Sequence, residues 1–149
     1  MTSTARVSER IVVGIDGSLS SHAAVRWALN HARPDDTIML LHAWESSPSM
    51  VDVARADADD ESSARRFAHH ELERARQLLC DDTITLSCEV VHGDARDSLC
   101  REPSDLLVVG ARGHGVLAGI LLGSVSAHLA HHCPVPLVIV PFPARTTHR

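Results

Sequence analysis

The chain has 149 residues, of which 44% are hydrophobic and 22% charged, with a formal net charge of −5. That composition excludes disorder and fits one domain able to bury a core without staples. An acidic balance with two Trp, two Phe and no Tyr excludes nucleic acid as partner, and no apolar run reaches the roughly 18 residues that span a bilayer, which excludes the membrane. The opening residues, 1–10, lack the apolar core of a signal peptide, and the four cysteines form no Cys-x-x-Cys pair. A cytoplasmic location with free thiols is expected, with flexible ends at 1–9 and 143–149.

Strand and helix patterns alternate. Ile11, Val12, Val13 and Ile15 predict a first strand, ended by the turn Asp16-Gly17-Ser18, with Ser18 or Ser20 as the cap of the next element. Ala23–Ala32 predicts a helix with Ala24, Trp27, Ala28 and His31 on one face, broken at Pro34. Thr37–Trp44 is nearly continuous in apolarity through Ile38–Leu41, as in a strand covered on both faces. Residues 45–60, with Pro48 and the acids Asp52, Asp57, Asp59 and Asp60, predict a long irregular stretch whose acids form a solvated surface. Ala64, Phe67, Ala68, Leu72, Ala75 and Leu79 place a helix over 61–80. Strict alternation of Ile84, Leu86, Cys88 and Val90 predicts a third strand with one wetter face, suited to a sheet edge. At most a short helix fits Ala95–Cys100. Leu106–Val109 is the fourth strand and Val135–Val140, fenced by prolines, the fifth. Five strands with intervening helices predict an α/β fold: a single-domain, five-stranded parallel sheet with helices on both faces.

The stretch from Leu106 to His132 carries the chemistry. A buried strand ends at Gly110, a glycine-spaced loop comes next, and helical spacing begins at Ser124. Glycines let backbone N–H groups approach an anion, and a new helix adds unpaired donors and the positive end of its dipole. The Ser124 hydroxyl is placed either to cap that helix or to bond the anion. A Walker loop is excluded, because Leu122 precedes Gly123 and the chain has no lysine. A dinucleotide fingerprint fits Gly113, Gly115 and Ala118 but requires a later acidic residue for the ribose, and none follows Asp105. Residues 106–149 hold Arg112, Arg145 and Arg149 and no acid, so all 19 acids precede this region. An acid-free region around a glycine loop points to an anion rather than to turn geometry alone.

Gly110-x2-Gly113-x9-Gly123-Ser124 resembles the adenosine-phosphate signature of the universal stress protein family. Val12–Ser18, Leu40–Ala43, His92–Asp94, Ser104–Gly110 and Cys133–Val140 extend the resemblance over nearly the whole chain. The resemblance implies strand order 3-2-1-4-5, as in adenine nucleotide alpha hydrolase-like folds, which sets Asp16 and the glycine loop on one crevice. It implies an ATP-binding branch whose cofactor is ATP, AMP or another adenosine phosphate, with Mg held through the nucleotide. The backbone near Ala43 would meet the adenine edge. Asp16, beside Gly14, Ile15 and Ser18, would hold ribose hydroxyls or the phosphate-bound ion. Gly110, Gly113, Gly123, Ser124 and Val125 would contact ribose and phosphates, with Gly115, Arg112 and His114 in the same loop. Arg112 and His114 read equally well as solvated charges. The family resemblance also implies a homodimer joined through residues 135–140. Two departures stand out: 93–105 is about two residues short, and Ala95 stands where the family often has proline.

His128, His131, His132 and Cys133 bunch at the end of the last helix, yet no carboxylate ligand lies nearby and the helix dipole alone favours histidine there. No nucleophile elbow exists, and Asp16-Gly17-Ser18 is not the Ser-Gly-Gly-x-Asp-Ser loop of adenylating enzymes. The expectation is a stress-response regulatory protein that acts by binding ATP or a related nucleotide. The alternatives are a slow ATP hydrolase, with Arg112 and His114 as its local candidates, and a pure interaction module.

Overall fold

The computed structural model describes residues 6–46, 53–112 and 122–141, with 53–59 described by backbone alone. The elements run β1 (Arg10–Gly14), α1 (Leu19–His31), β2 (Thr37–Trp44), α2 (Val53–Leu78), β3 (Thr85–His92), α3 (Ala95–Arg101), β4 (Leu106–Gly110), α4 (Ser124–His132) and β5 (Leu137–Val140). The five strands form one sheet in the order β3-β2-β1-β4-β5, every pair parallel. Val12 sits between Met39 and Leu107, so the apolar runs of the three central strands stack in register.

The two-residue period of the strands sorts their side chains onto two faces. Ile11, Val13, Ile38, Leu40 and Val108 meet α1 and α2, together with Ala24, Ala28, Leu72 and Ala75. Val12, Met39, Leu41, Leu107 and Val109 meet Leu99 of α3 and Leu129 of α4. The second face is thinly covered, because α3 has 7 residues and α4 has 9. Thr85, Ser87 and Glu89 of β3 are accordingly exposed, which is the wetter face that the alternation predicted on an edge strand.

Several boundaries differ from the sequence expectation. α1 starts at Leu19 rather than Ala23, because the Ser18 hydroxyl accepts the Ser21 N–H at 3.1 Å and recruits a serine-rich turn into the helix. Ser20 does not cap; it is 1% exposed and its hydroxyl has no partner. α2 begins at Val53, so the helix takes in the second half of the stretch read as irregular, 53–60. Its early residues are acidic and lack an apolar period, which hid a helix whose later turns bury Ala64, Ala68, Leu72 and Ala75. Pro48 and Asp52 lie outside the described residues, as do the side chains of Asp57 and Asp59.

At the amino edge of the sheet, Asp36 gathers three segments. Its carboxylate, 1% exposed, accepts the Glu9 N–H at 2.9 Å, the Arg33 N–H at 2.8 Å and the Arg6 guanidinium at 3.2 Å. The Asp36 carbonyl receives the Thr85 N–H at 3.1 Å and brings in β3. Burial alone would raise this carboxyl, but the two amides and the guanidinium outweigh it and hold its pKa below the usual carboxylate range.

Candidate functional site

The strand order places β1 beside β4, and their carboxyl ends open onto one cavity of about 350 Å³. Gly14, Ile15, Asp16 and Ser18 line it from the β1 side, and Ala43 lines it from β2. Gly110, Arg112, Gly123, Ser124 and Val125 line it from β4 and the start of α4. These are the ten predicted site residues among those described, and all ten border this one space. Gly113, His114 and Gly115 lie outside the described residues.

The β1 side is a hydrogen-bonded turn. Gly17 has φ 80°, a left-handed conformation that costs glycine nothing. Around it the Ser18 N–H donates to Asp16 Oδ1 at 2.9 Å, and the Asp16 N–H donates to Ser21 Oγ at 3.2 Å. The Ser18 hydroxyl also reaches the Arg112 carbonyl at 3.3 Å, which ties this turn to the loop after β4. From the opposite face, the His42 Nδ1 lies 3.1 Å from the Ile15 carbonyl, so a proton on Nδ1 fixes that peptide.

Gly110 has a steric role that its spacing did not reveal. A Cβ there would sit 2.5 Å from the Ser20 carbonyl carbon and 2.7 Å from its oxygen, so β4 and the first turn of α1 can approach only through glycine. A Cβ at Gly14 would stand 3.0 Å from Leu99 Cδ1 and 3.2 Å from Val109 Cγ1, a tight contact at the cavity floor.

The helices α1, α3 and α4 begin near this edge, and their caps differ. Ser18 caps α1, and the Asp94 carboxylate caps α3 by accepting the Arg96 N–H at 2.7 Å. The Arg96 guanidinium, 2.6 Å from Asp94 Oδ2, pulls that carboxyl down to about 2. α4 has Gly123 as its N-cap, in extended conformation, and so no side-chain cap for its first-turn N–H groups among the described residues. Ser124 is therefore the first helical residue and not the cap. A capped helix start has one of its donors taken by its own side chain, whereas α4 borders the cavity without such a cap.

The cavity is polar at this end and apolar at the other, where Leu41, Ala43, Ala95, Leu99 and Val109 face it. Leu41 and Val109 follow from strand period, since each lies two residues from, or level with, a predicted lining position. Ser126, also lining, stands three residues after Gly123 and shares its helical face. Leu99 carried no signal, because one leucine on a seven-residue helix shows no period. The histidine cluster lies elsewhere: His128 and His132 stack with ring centroids 4.2 Å apart. Among the described residues no group of three or more His, Cys, Asp or Glu could hold a metal ion. Burial pushes the Cys88 and Cys100 thiols up, away from the reactive thiolate.

A sequence profile of the universal stress protein family matches residues 8–141. The chain belongs to the universal stress protein family. A universal stress protein of Mycolicibacterium smegmatis is 32% identical over 145 residues, covering 87% of this chain and 47% of that protein. The chain thus spans about half the length of the curated relatives that it matches. Among solved structures, a universal stress protein in complex with cAMP superposes with TM-score 0.63 at 26% identity, covering 92% of this chain and all of that one. A universal stress protein family protein from Arabidopsis thaliana with AMP bound has TM-score 0.65 at 21% identity, covering 91% of this chain and 92% of that one. The second likeness is one of fold. Among the described residues no helix is long and apolar enough to cross a membrane.

Proposed function

We propose that this chain binds an adenosine phosphate in the cavity between β1 and β4, and that occupancy rather than turnover is its regulatory output. The observation that carries the reading is the start of α4: a helix with no side-chain cap opens on the same cavity as an apolar slot. A planar base fits a slot walled by Ala43, Ala95, Leu99 and Val109, and a phosphate fits unpaired N–H groups at a helix N-terminus. At about 350 Å³ the cavity falls within the range of small-molecule sites. The structural relative in complex with cAMP, 26% identical, supports the ligand class. ATP, AMP and cAMP all present the shared chemistry of adenosine joined to phosphate.

In this reading Gly14, Ile15 and Ser18 shape the wall at the ribose. Asp16, exposed at the rim, accepts ribose hydroxyls or holds Mg that arrives with the nucleotide. Gly110, Arg112, Gly113, His114, Gly115, Gly123, Ser124 and Val125 enclose the phosphates. The setting is cytoplasmic and response to stress the context, with neither nucleic acid nor membrane as partner. The chain pairs with a second copy through β5, whose half-buried Leu137–Val140 closes the sheet on a free edge.

Mass spectrometry of small molecules released from freshly purified, denatured protein tests the ligand class, and calorimetry with AMP, cAMP and ATP ranks the members. Absence of any adenosine phosphate in both would overturn the proposal. The enzyme alternative rests on Arg112 and His114; phosphate release with ATP and Mg²⁺ sustained above about 1 per second would favour it. Sedimentation of the wild type beside Val138→Asp tests the pairing, with a dimer expected for the first and a monomer for the second.

A further inference from the structure

Ser126 stands three residues into α4 and is 1% exposed. Its hydroxyl lies 2.8 Å from the Ala111 carbonyl and 3.2 Å from the Gly123 carbonyl. The second contact is the common back-bond of a helical serine to its own preceding turn. The first is tertiary, joining α4 to the residue that follows β4. A hydroxyl carries one proton, so it donates to one carbonyl at a time, and the shorter distance favours Ala111.

Ala111 is itself held on both sides. Its N–H donates to the Val140 carbonyl at 2.8 Å, and its carbonyl also receives the Gly123 N–H at 2.6 Å. The base of the loop between β4 and α4 is thus closed by two bonds onto one carbonyl oxygen, one from the cap backbone and one from a side chain a turn further on. Packing of the fully buried Leu129 sets α4 against the sheet, but that contact lies more than a turn beyond the helix start. The second bond pins the first turn itself, and with it the direction of the N–H groups of Ser124 and Val125, which border the cavity. It also keeps a carbonyl oxygen, which would repel an anion, turned onto the helix.

We infer that Ser126 is a positioning residue for the anionic part of the ligand: it aims the first turn of α4 at the phosphate through Ala111 without touching the phosphate itself. The inference rests on the adenosine-phosphate reading and deepens it. A residue that merely supported the fold would affect every ligand of the cavity alike. A residue that aims the phosphate donors affects only ligands that carry phosphate. The Gly123 N–H still satisfies the Ala111 carbonyl when the hydroxyl is gone, so the fold survives the change.

The experiment is calorimetry with AMP and with adenosine on wild type, Ser126→Ala and Ser126→Thr, each checked by thermal melting. Ser126→Ala is expected to bind AMP about tenfold more weakly, about 1.4 kcal/mol, and adenosine within about twofold of wild type. Ser126→Thr, which returns the hydroxyl, recovers AMP affinity. Unchanged AMP affinity in a folded Ser126→Ala, or equal weakening for AMP and adenosine, overturns the inference while leaving the nucleotide site standing. If Ser126→Ala does not fold, the same split is read on Ser126→Cys, which keeps the volume with only a weak donor. A wild type that binds neither ligand removes the nucleotide reading and this inference together.

Discussion

At the amino edge of the sheet the Asp36 carboxylate accepts two backbone N–H groups and a guanidinium. At the carboxyl edge the first turn of α4 has N–H donors and, among the described residues, no side-chain cap to receive them. Both places concentrate donors, from separate segments at Asp36 and from a single helical turn at α4. One edge supplies its own anion and is closed by it, with Arg6, Glu9, Arg33 and β3 drawn together. The other has no side-chain cap among the described residues and lies beside a cavity, within a region of the chain that has no acid. Donors at a helix start without a side-chain cap are satisfied by water or by a ligand, so this edge leaves room for a visitor where the other is closed by its own carboxylate.

The sharpest way to break this contrast is to prevent the open edge from forming. Gly110→Ala sets a methyl carbon 2.5 Å from the backbone of Ser20, and backbone cannot swing aside as a side-chain tip can. A loss of about 3 kcal/mol is expected, at the upper end for overpacking. Equilibrium urea unfolding measures it, and a loss below about 1 kcal/mol would mean that α1 and β4 part easily. The next change gives the open edge an anion of its own. Gly123→Asp places a carboxylate at the N-cap of α4, where the extended backbone accepts it. Stability is expected to change by only a few tenths of a kcal/mol, while AMP affinity falls about a hundredfold, about 2.7 kcal/mol. Calorimetry that finds AMP bound as before would separate α4 from the phosphate.

Removing the anion from the closed edge is the reciprocal change. Asp36→Asn keeps the shape and loses the charge that three donors share, so about 2 kcal/mol of stability at pH 7 is expected to go. The folded pKa of Asp36 lies below its ordinary 3.8. Its ionised form therefore adds stability above the unfolded pKa, and that stability is lost as pH falls through the folded value. Urea midpoints of variant and wild type should differ at pH 7 and converge below about pH 3.8. Ser18→Ala is the smallest change. It uncaps α1 and frees the Arg112 carbonyl, at about 1 kcal/mol. Thermal melting reads it, and no loss would show that the turn after β1 is held by Asp16 and Ser21 alone.

Much of the fold was legible where composition and burial agree. Thr37–Trp44 was legible to both ends because a strand covered on both faces leaves an unbroken apolar run. The start of α4 at Ser124 was legible from helical spacing after the glycines. Strand order came from the family resemblance, since apolar runs do not say which strand neighbours which. The starts of α1 and α2 were hidden, because serines and aspartates in a first turn look like loop until a cap or a packed continuation makes them helical. In the cavity, glycines and an acid were visible by spacing. Leu99 was not, since it reaches the site through tertiary packing that leaves no local pattern, whereas Ser126 shares the helical face of Gly123 and its place on the cavity could have been read from that spacing. Gly110 was visible, but the reason for it was not: the close passage of Ser20 exists only once β4 lies against α1.

That close passage divides the cavity wall for anyone who would redesign it. Position 110 admits no side chain, and position 14 admits one only if Leu99 and Val109 yield. Neither is a place to diversify. Ala43 and Ala95 end at Cβ and line the cavity from β2 and α3, so a library meant to change what the cavity admits belongs at these two positions. The glycines form the frame on which any such variant must still be hung.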